Sequence, residues 1–172
     1  MKKIFITYGD GKYRKTRDFA GRMAKRFGSF DQVLLMGPED IDGDFQEEHK
    51  DIFSIKRGAG LWIWKPYIID KVLQEKCSEG DYLFYSDAGA FFIRSVNNII
   101  KPMMEQNEDI WLSATPLVEW QFTKADCFKM LECDNDEIRN SAQIQGSFIC
   151  IRKSDKSVKF IKEWLALCCD LC

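Results

Sequence analysis

A carboxylate closes a short aromatic run in Gly80-Asp81-Tyr82-Leu83-Phe84-Tyr85-Ser86-Asp87-Ala88-Gly89. Tyr82 to Ser86, set between glycines, reads as a buried strand between two turns. An acid leaving the carboxyl end of a central strand stands in the crevice where open α/β sheets bind their ligands. Gly89, two residues on, removes a side chain and lets a bulky group approach the backbone. These residues suit the holding of a metal-bound nucleoside diphosphate, with Asp87 at the metal and Ser86 and Gly89 lining the ligand.

A second stretch supplies positive charge. In Arg57-Gly58-Ala59-Gly60-Leu61-Trp62-Ile63-Trp64-Lys65-Pro66, two glycines allow a close-approach turn and two tryptophans offer flat rings. Arg57 and Lys65 bracket them with cations. Pro66 suits the first turn of a helix, and Tyr67, Ile68, Ile69, Val72 and Leu73 give that helix an apolar face. A cation beside the free N–H groups of a helix start makes an anion site, so Lys65 and Arg57 are the candidate phosphate ligands. One of Trp62 and Trp64 is expected in the core.

The elements that must position these groups alternate along the chain. Ile4-Phe5-Ile6-Thr7 is a first strand running into Tyr8-Gly9-Asp10-Gly11, a glycine-bearing loop in which Thr7, Tyr8 and Asp10 could meet a nucleotide. Phe19, Met23 and Phe27 recur every four residues, which predicts an amphipathic helix over 13–27. Gln32 to Met36 is a second strand, stopped by Gly37-Pro38. Glu39 to Asp44 holds overlapping D-x-D triplets but lacks the glycine and closing glutamate of a calcium loop, so it reads as an exposed acidic turn. His49, the only histidine, lies in a polar stretch and reads as a surface residue.

Beyond Asp87, Ala90 to Ile93 reads as a short extended piece and Val96 to Glu105 as a helix that Pro102 could kink. Asp109 to Ala114 is a further strand. Glu119 to Asp126 leads into a helix ending near Leu131, with Thr123 as its N-cap, and Asp134 to Glu137 is an acidic helix start. Gln143 to Ile151 is a strand whose Gln145 and Gly146 could line a sugar site, since hydroxyl-rich ligands need paired donors and acceptors. Ser154 caps a last helix with a Val158, Ile161, Leu165 and Cys168 stripe. Its final turns carry more apolar surface than the chain can cover, which predicts either a domain incomplete at its C-terminus or a helix completed by a partner, such as a second copy in a dimer.

Bulk properties narrow the class. The 172 residues make one domain, with 45% apolar, 30% charged and 13% aromatic residues and a net charge of -2. Lys and Arg are scattered, so no basic face for nucleic acid is formed. Met1-Lys2-Lys3 begins like an export signal, but Gly9, Asp10 and Lys12 interrupt the apolar run. No segment approaches a membrane span of about 18 residues, leaving only peripheral membrane contact. Seven cysteines at irregular spacing fit reduced thiols in the cytoplasm. Cys168, Cys169 and Cys172 lack the second pair a zinc site needs. The alternation βαβαβ and onward gives an α/β fold with a mostly parallel central sheet and helices on both faces.

Four segments in order, R-G-x-G-x-W-x-W-K-P (57–66), G-D-Y-L-F-Y-S-D-A-G (80–89), E-x-Q-F-T-K-x-D (119–126) and S-x-Q-x-x-G-S-F (141–148), resemble a bacterial glycosyltransferase-like family of capsular and lipopolysaccharide synthesis. That resemblance implies a GT-A, Rossmann-like fold of the nucleotide-diphospho-sugar transferase type over 1–172, lacking a C-terminal section that commonly adds a metal or phosphate ligand. It implies transfer from a nucleoside diphosphate sugar, a UDP-sugar foremost, to a hydroxyl of a glycan or lipid-linked acceptor, in the cytoplasm at the inner face of the membrane.

Asp87 matches the first acid of the family's metal-binding D-x-D, and Gly89 replaces the second. Mn2+ or Mg2+ would then be held weakly, completed by diphosphate oxygens and water. By the same resemblance Asp87 serves metal and ribose, Lys65 and Arg57 the phosphates, and Thr7, Tyr8 and Asp10 the base and ribose. Trp62 joins the substrate-binding set, while Glu119, Gln121, Gln145 and Gly146 face donor sugar and acceptor. Asp87 and Glu119 are the candidate catalytic acids. Inversion and retention stay open, because no general base stands out.

Rival readings are a non-catalytic remnant that binds sugar nucleotide, a sugar-nucleotide nucleotidyltransferase, and a protein-binding module using the aromatic surface. The nucleotidyltransferase would want a glycine-rich basic loop after the first strand, of which Tyr8-Gly9-Asp10-Gly11-Lys12 is a poor version.

Overall fold

A computed structural model describes residues 1–170; Cys172 lies outside them. Five strands, β1 (Lys3–Tyr8), β2 (Gln32–Met36), β3 (Tyr82–Ser86), β4 (Ile110–Val118) and β5 (Ala142–Arg152), form one sheet in the order β2-β1-β3-β5-β4. β1 pairs parallel with both β2 and β3. β5 runs antiparallel to β3, and β4 antiparallel to β5. Four strands therefore share one direction, and the sheet is mostly parallel. The reversed β5 brings 146–148 back beside the carboxyl end of β3, where Asp87 N–H donates to the Ser147 carbonyl.

Four longer helices cover the sheet: α1 (Arg14–Met23), α2 (Trp64–Lys76), α3 (Asn97–Glu105) and α4 (Asp155–Cys169). Strand alternation separates two apolar layers. Ile4, Ile6, Leu83, Tyr85, Ile149 and Ile151 face Ile68, Ile69 and Leu73 of α2 and Ile161 of α4. Phe5, Tyr82, Phe84 and Cys150 face Ala24, Val96, Ile100 and Met103 on the other side. Helices thus lie on both faces, as the sequence alternation requires. Lys153 fastens the end of α2, its ammonium donating to the carbonyls of Leu73 at 2.6 Å and Cys77 at 2.8 Å.

Several local readings are adjusted. The first helix ends at Met23 and continues as a single π turn over Ala24–Gly28. Residues 90–93 pair with no strand; Phe92 anchors them edge-on against Phe5, Phe30 and Phe84. β4 runs on to Val118 because β5 pairs with it, and Pro116, which has no N–H to give, falls in the irregular stretch between Ala114 and Val118. Thr123 does not cap the helix Ala125–Met130; its hydroxyl donates to Glu119 at 2.7 Å instead. Ser154 caps α4 as expected, its side chain accepting from Ser157 N–H at 3.2 Å. Of the α4 stripe only Ile161 is fully buried, and Phe160, Trp164 and Leu167 border an open apolar groove with Met130 and Leu131.

A buried carboxylate ties the far end of the sheet together. Asp109, 9% exposed, accepts from Arg152 Nε at 2.6 Å and from the Ser154 hydroxyl at 2.7 Å, joining β4, β5 and the cap of α4. Burial alone would raise its pKa, but the bonds from Ser154 and Arg152 outweigh it and hold the carboxyl below its ordinary range. The folded value lies below the unfolded one, so its contribution to stability is complete above the ordinary carboxylate pKa and fades as pH falls through the lower folded value. Asp109→Asn is expected to cost about 1–3 kcal/mol at neutral pH and to flatten the acid limb of a urea-midpoint-against-pH curve. A variant curve parallel to wild type throughout would refute this.

Candidate functional site

The alternation that sends Leu83 and Tyr85 toward α2 sends Asp87 the same way, and the first turn of α2 presents Lys65 to it. Lys65 Nζ lies 2.9 Å from Asp87 Oδ1 and 2.9 Å from the Gly146 carbonyl, 5.0 Å over the Tyr85 ring. The Tyr85 hydroxyl donates to the same Oδ1. Burial and then the charge of Asp87 push the Tyr85 phenol well above its ordinary pKa, so it remains a donor. The Lys65 side chain is 10% exposed, whereas that of Asp87 is 43% exposed. The carboxylate is clamped from behind and open in front.

In front lies a cleft of about 470 Å³. Tyr8, Tyr13, Trp62 and Trp64 give it aromatic faces, Lys12 and Lys56 positive charge, Asp10 and Asp87 negative charge, and Gly58, Ala59, Ala88 and Gly89 a largely backbone wall. Tyr8 and Trp64 stack with centroids 3.9 Å apart. Trp64 is 7% exposed and belongs to the core, while Trp62 is 45% exposed with its ring available to a ligand.

The wall carrying Trp62 is strained. Gly58, Ala59, Gly60, Leu61 and Trp62 all have positive φ, between 50° and 91°. Left-handed backbone at non-glycine residues costs of order 1–3 kcal/mol each and persists where the surroundings impose it. At Gly58 a Cβ would come within 2.5 Å of the Trp62 ring, and the Gly58 carbonyl accepts from Trp64 Nε1 at 2.9 Å. Gly58→Ala is expected to cost about 1–3 kcal/mol and to shift tryptophan fluorescence as Trp62 is displaced. Unchanged melting and emission would count against this account of the wall.

The residues singled out from sequence divide into three groups. Tyr8, Asp10, Trp62, Asp87 and Gly89 line the cleft together, with Lys65 directly behind Asp87 and Gly146 bonded to Lys65. Thr7 and Ser86 do not present side chains to it: they are 0% and 2% exposed, on the opposite side of their strands from Tyr8 and Asp87, so the roles given to them are corrected. Arg57 is not among the lining residues; its guanidinium lies 5.7 Å over the Trp62 ring and supports that ring from outside.

Glu119, Gln121 and Gln145 fall outside the cleft lining as well, on the part of the β4–β5 hairpin that runs past β3. Both Glu119 oxygens serve the local backbone and turn, one accepting from Ile144 N–H at 2.9 Å and the other from Thr123. That engagement leaves it poorly placed as a catalytic acid or base. Gln145 donates to Ser113 at 3.0 Å, and Gln121 accepts from Val118 N–H at 3.4 Å. Lys12, Tyr13 and Lys56 were not anticipated. Their signal was adjacency, Lys12 and Tyr13 to the loop after β1 and Lys56 to the Arg57-Gly58 turn.

Whether this site suits a resident Mn2+ or Mg2+ depends on its donors. Among the described residues no three His, Cys, Asp or Glu side chains gather closely enough to hold an ion. Asp87 Oδ1 already carries an ammonium and a phenol, and the place of a second acid is taken by Gly89. Mg2+-like ions are commonly held by one or two carboxylates, with waters and substrate phosphates completing six oxygens. The donor set does not fit an ion held by the protein alone.

No protein-family model and no curated protein matches the chain. Among solved structures, a glycosyltransferase involved in the glycosylation of the major capsid of PBCV-1 is similar at a TM-score of 0.42 and 8% identity, over 97% of this chain. The chain spans 66% of that structure's length, and a likeness of this degree is too distant to assign an activity. Among the described residues, no helix is long and apolar enough to cross a membrane.

Proposed function

We propose that the protein is a glycosyltransferase with a GT-A-like fold. It would take a sugar from a nucleoside diphosphate donor, a UDP-sugar foremost, and pass it to a hydroxyl of a glycan or lipid-linked acceptor in surface polysaccharide synthesis. The observation that carries this reading is Asp87: a half-exposed carboxylate at the carboxyl end of a central strand, clamped by a buried ammonium and facing an aromatic, cation-bearing cleft. Crevices at strand ends are where such sheets bind nucleotides.

In this reading Trp62 or Tyr13 offers a face for the base, and Asp87 with Asp10 accepts ribose hydroxyls. Lys65, Lys12 and Lys56 neutralise the charge that develops on the departing diphosphate. Fixed cations in a partly desolvated site stabilise that charge with little reorganisation, which is where most of the rate would come from. The described cysteines are all free thiols, which suits the cytoplasm.

Calorimetric titration with UDP and GDP tests the reading. Saturable heat that Asp87→Asn weakens is expected; flat traces with both nucleotides would refute it. One observation favours a second reading, nucleotide binding without transfer: Glu119, a candidate catalytic acid, lies outside the cleft lining with both oxygens engaged. Release of nucleoside diphosphate from UDP-sugars by the wild type would exclude it.

A further inference from the structure

Neutralising a diphosphate in this cleft requires a cation, and Lys65, although not itself among the lining residues, stands directly behind Asp87, which is. Lys65 Nζ sits 2.9 Å from Asp87 Oδ1, so a divalent ion taking that oxygen would have to stand against an ammonium already beside it. At position 89, where a second acid would complete a metal site, a Cβ would meet nothing within 4 Å. Packing therefore does not demand glycine there, and the open space lies on the cleft wall.

An ammonium has three N–H donors. Among the described residues, Asp87 and the Gly146 carbonyl take two of them, and the third has no hydrogen-bond partner in the protein. The side chain is nine-tenths buried over the Tyr85 ring, where a charge acts more strongly than in open water.

Resting on the nucleoside-diphosphate reading of the cleft, we propose that Lys65 receives the diphosphate in place of a divalent ion, with Lys12 and Lys56 adding charge on the cleft wall. Asp87 then orients the ammonium and accepts ribose hydroxyls rather than holding a metal. Gly89 keeps the ion out by withholding the second carboxylate.

Titration of UDP and GDP into wild type, Lys65→Met and Gly89→Asp, each in EDTA and in Mn2+, tests the proposal. Wild-type affinity is expected to agree between EDTA and Mn2+ to within about threefold, and Lys65→Met to lose about tenfold or more through the missing charge-assisted bonds. Gly89→Asp, which has room for its side chain, is expected to gain about tenfold on adding Mn2+ once two carboxylates are present. Wild-type heat that appears only with Mn2+ would overturn the proposal while leaving the nucleotide reading intact; no heat in either buffer would overturn both. Undiminished binding by folded Lys65→Met would remove the lysine's role, and Gly89→Asp indifferent to Mn2+ would remove that of Gly89. Should Lys65→Met not fold, the wild-type and Gly89→Asp arms still decide whether the ion is needed.

Discussion

Asp87→Asn is expected to lower kcat/KM for release of nucleoside diphosphate from a UDP-sugar by about 100-fold or more, the scale set by losing one preorganised electrostatic group. The fold should survive. Asn keeps the size of the side chain and an oxygen that Lys65 and Tyr85 can both reach, but it removes the counter-charge of the nine-tenths buried Lys65, so a stability cost of about 1–3 kcal/mol is expected. A rate loss far larger than any loss of folded protein at the assay temperature therefore marks Asp87 as a functional group rather than a structural one. Equal activity in the variant, or activity lost only in step with unfolding, would contradict that assignment.

Trp64→Ala should have the largest effect on stability, at about 3–5 kcal/mol for truncating a buried tryptophan. Trp64 is 7% exposed, stacks on Tyr8 at 3.9 Å and donates through Nε1 to the Gly58 carbonyl, so its loss opens the core beneath the cleft and frees the strained wall above it. Trp62→Ala, four-tenths exposed and on the cleft surface, should cost less than about 1 kcal/mol and act instead on nucleotide affinity. Chemical denaturation of the two variants checks the contrast. Similar midpoints for both would mean that the division into a core ring and a ligand-facing ring is wrong.

The meeting of Lys65 with Asp87 could be foreseen because each ends a segment whose pattern is plain. An aromatic strand between glycines fixes where Asp87 emerges, and a proline-started apolar helix fixes where Lys65 sits. Thr7 was legible in principle. Period-two alternation from Ile4 and Ile6 already assigns it to the face of Phe5, away from Tyr8.

Other features depend on pairings that no local pattern states. That β5 inserts antiparallel between β3 and β4, and so brings Gly146 to the Lys65 ammonium, follows from long-range register alone. The capture of Glu119 by Ile144 N–H spans 25 residues and depends on the same hairpin. Lys12 and Lys56 reach the cleft because two loops distant in sequence converge on it. Their charge was visible, and their convergence was not.

The central claim is that the cleft before Asp87 holds a nucleoside diphosphate. Crystals soaked with UDP test it most directly: the diphosphate should lie within hydrogen-bonding distance of Lys65 Nζ, with the ribose beside Asp87 and the base against an aromatic face of the cleft. Density for UDP elsewhere on the surface, or an empty cleft at a concentration that saturates binding in solution, would contradict the account.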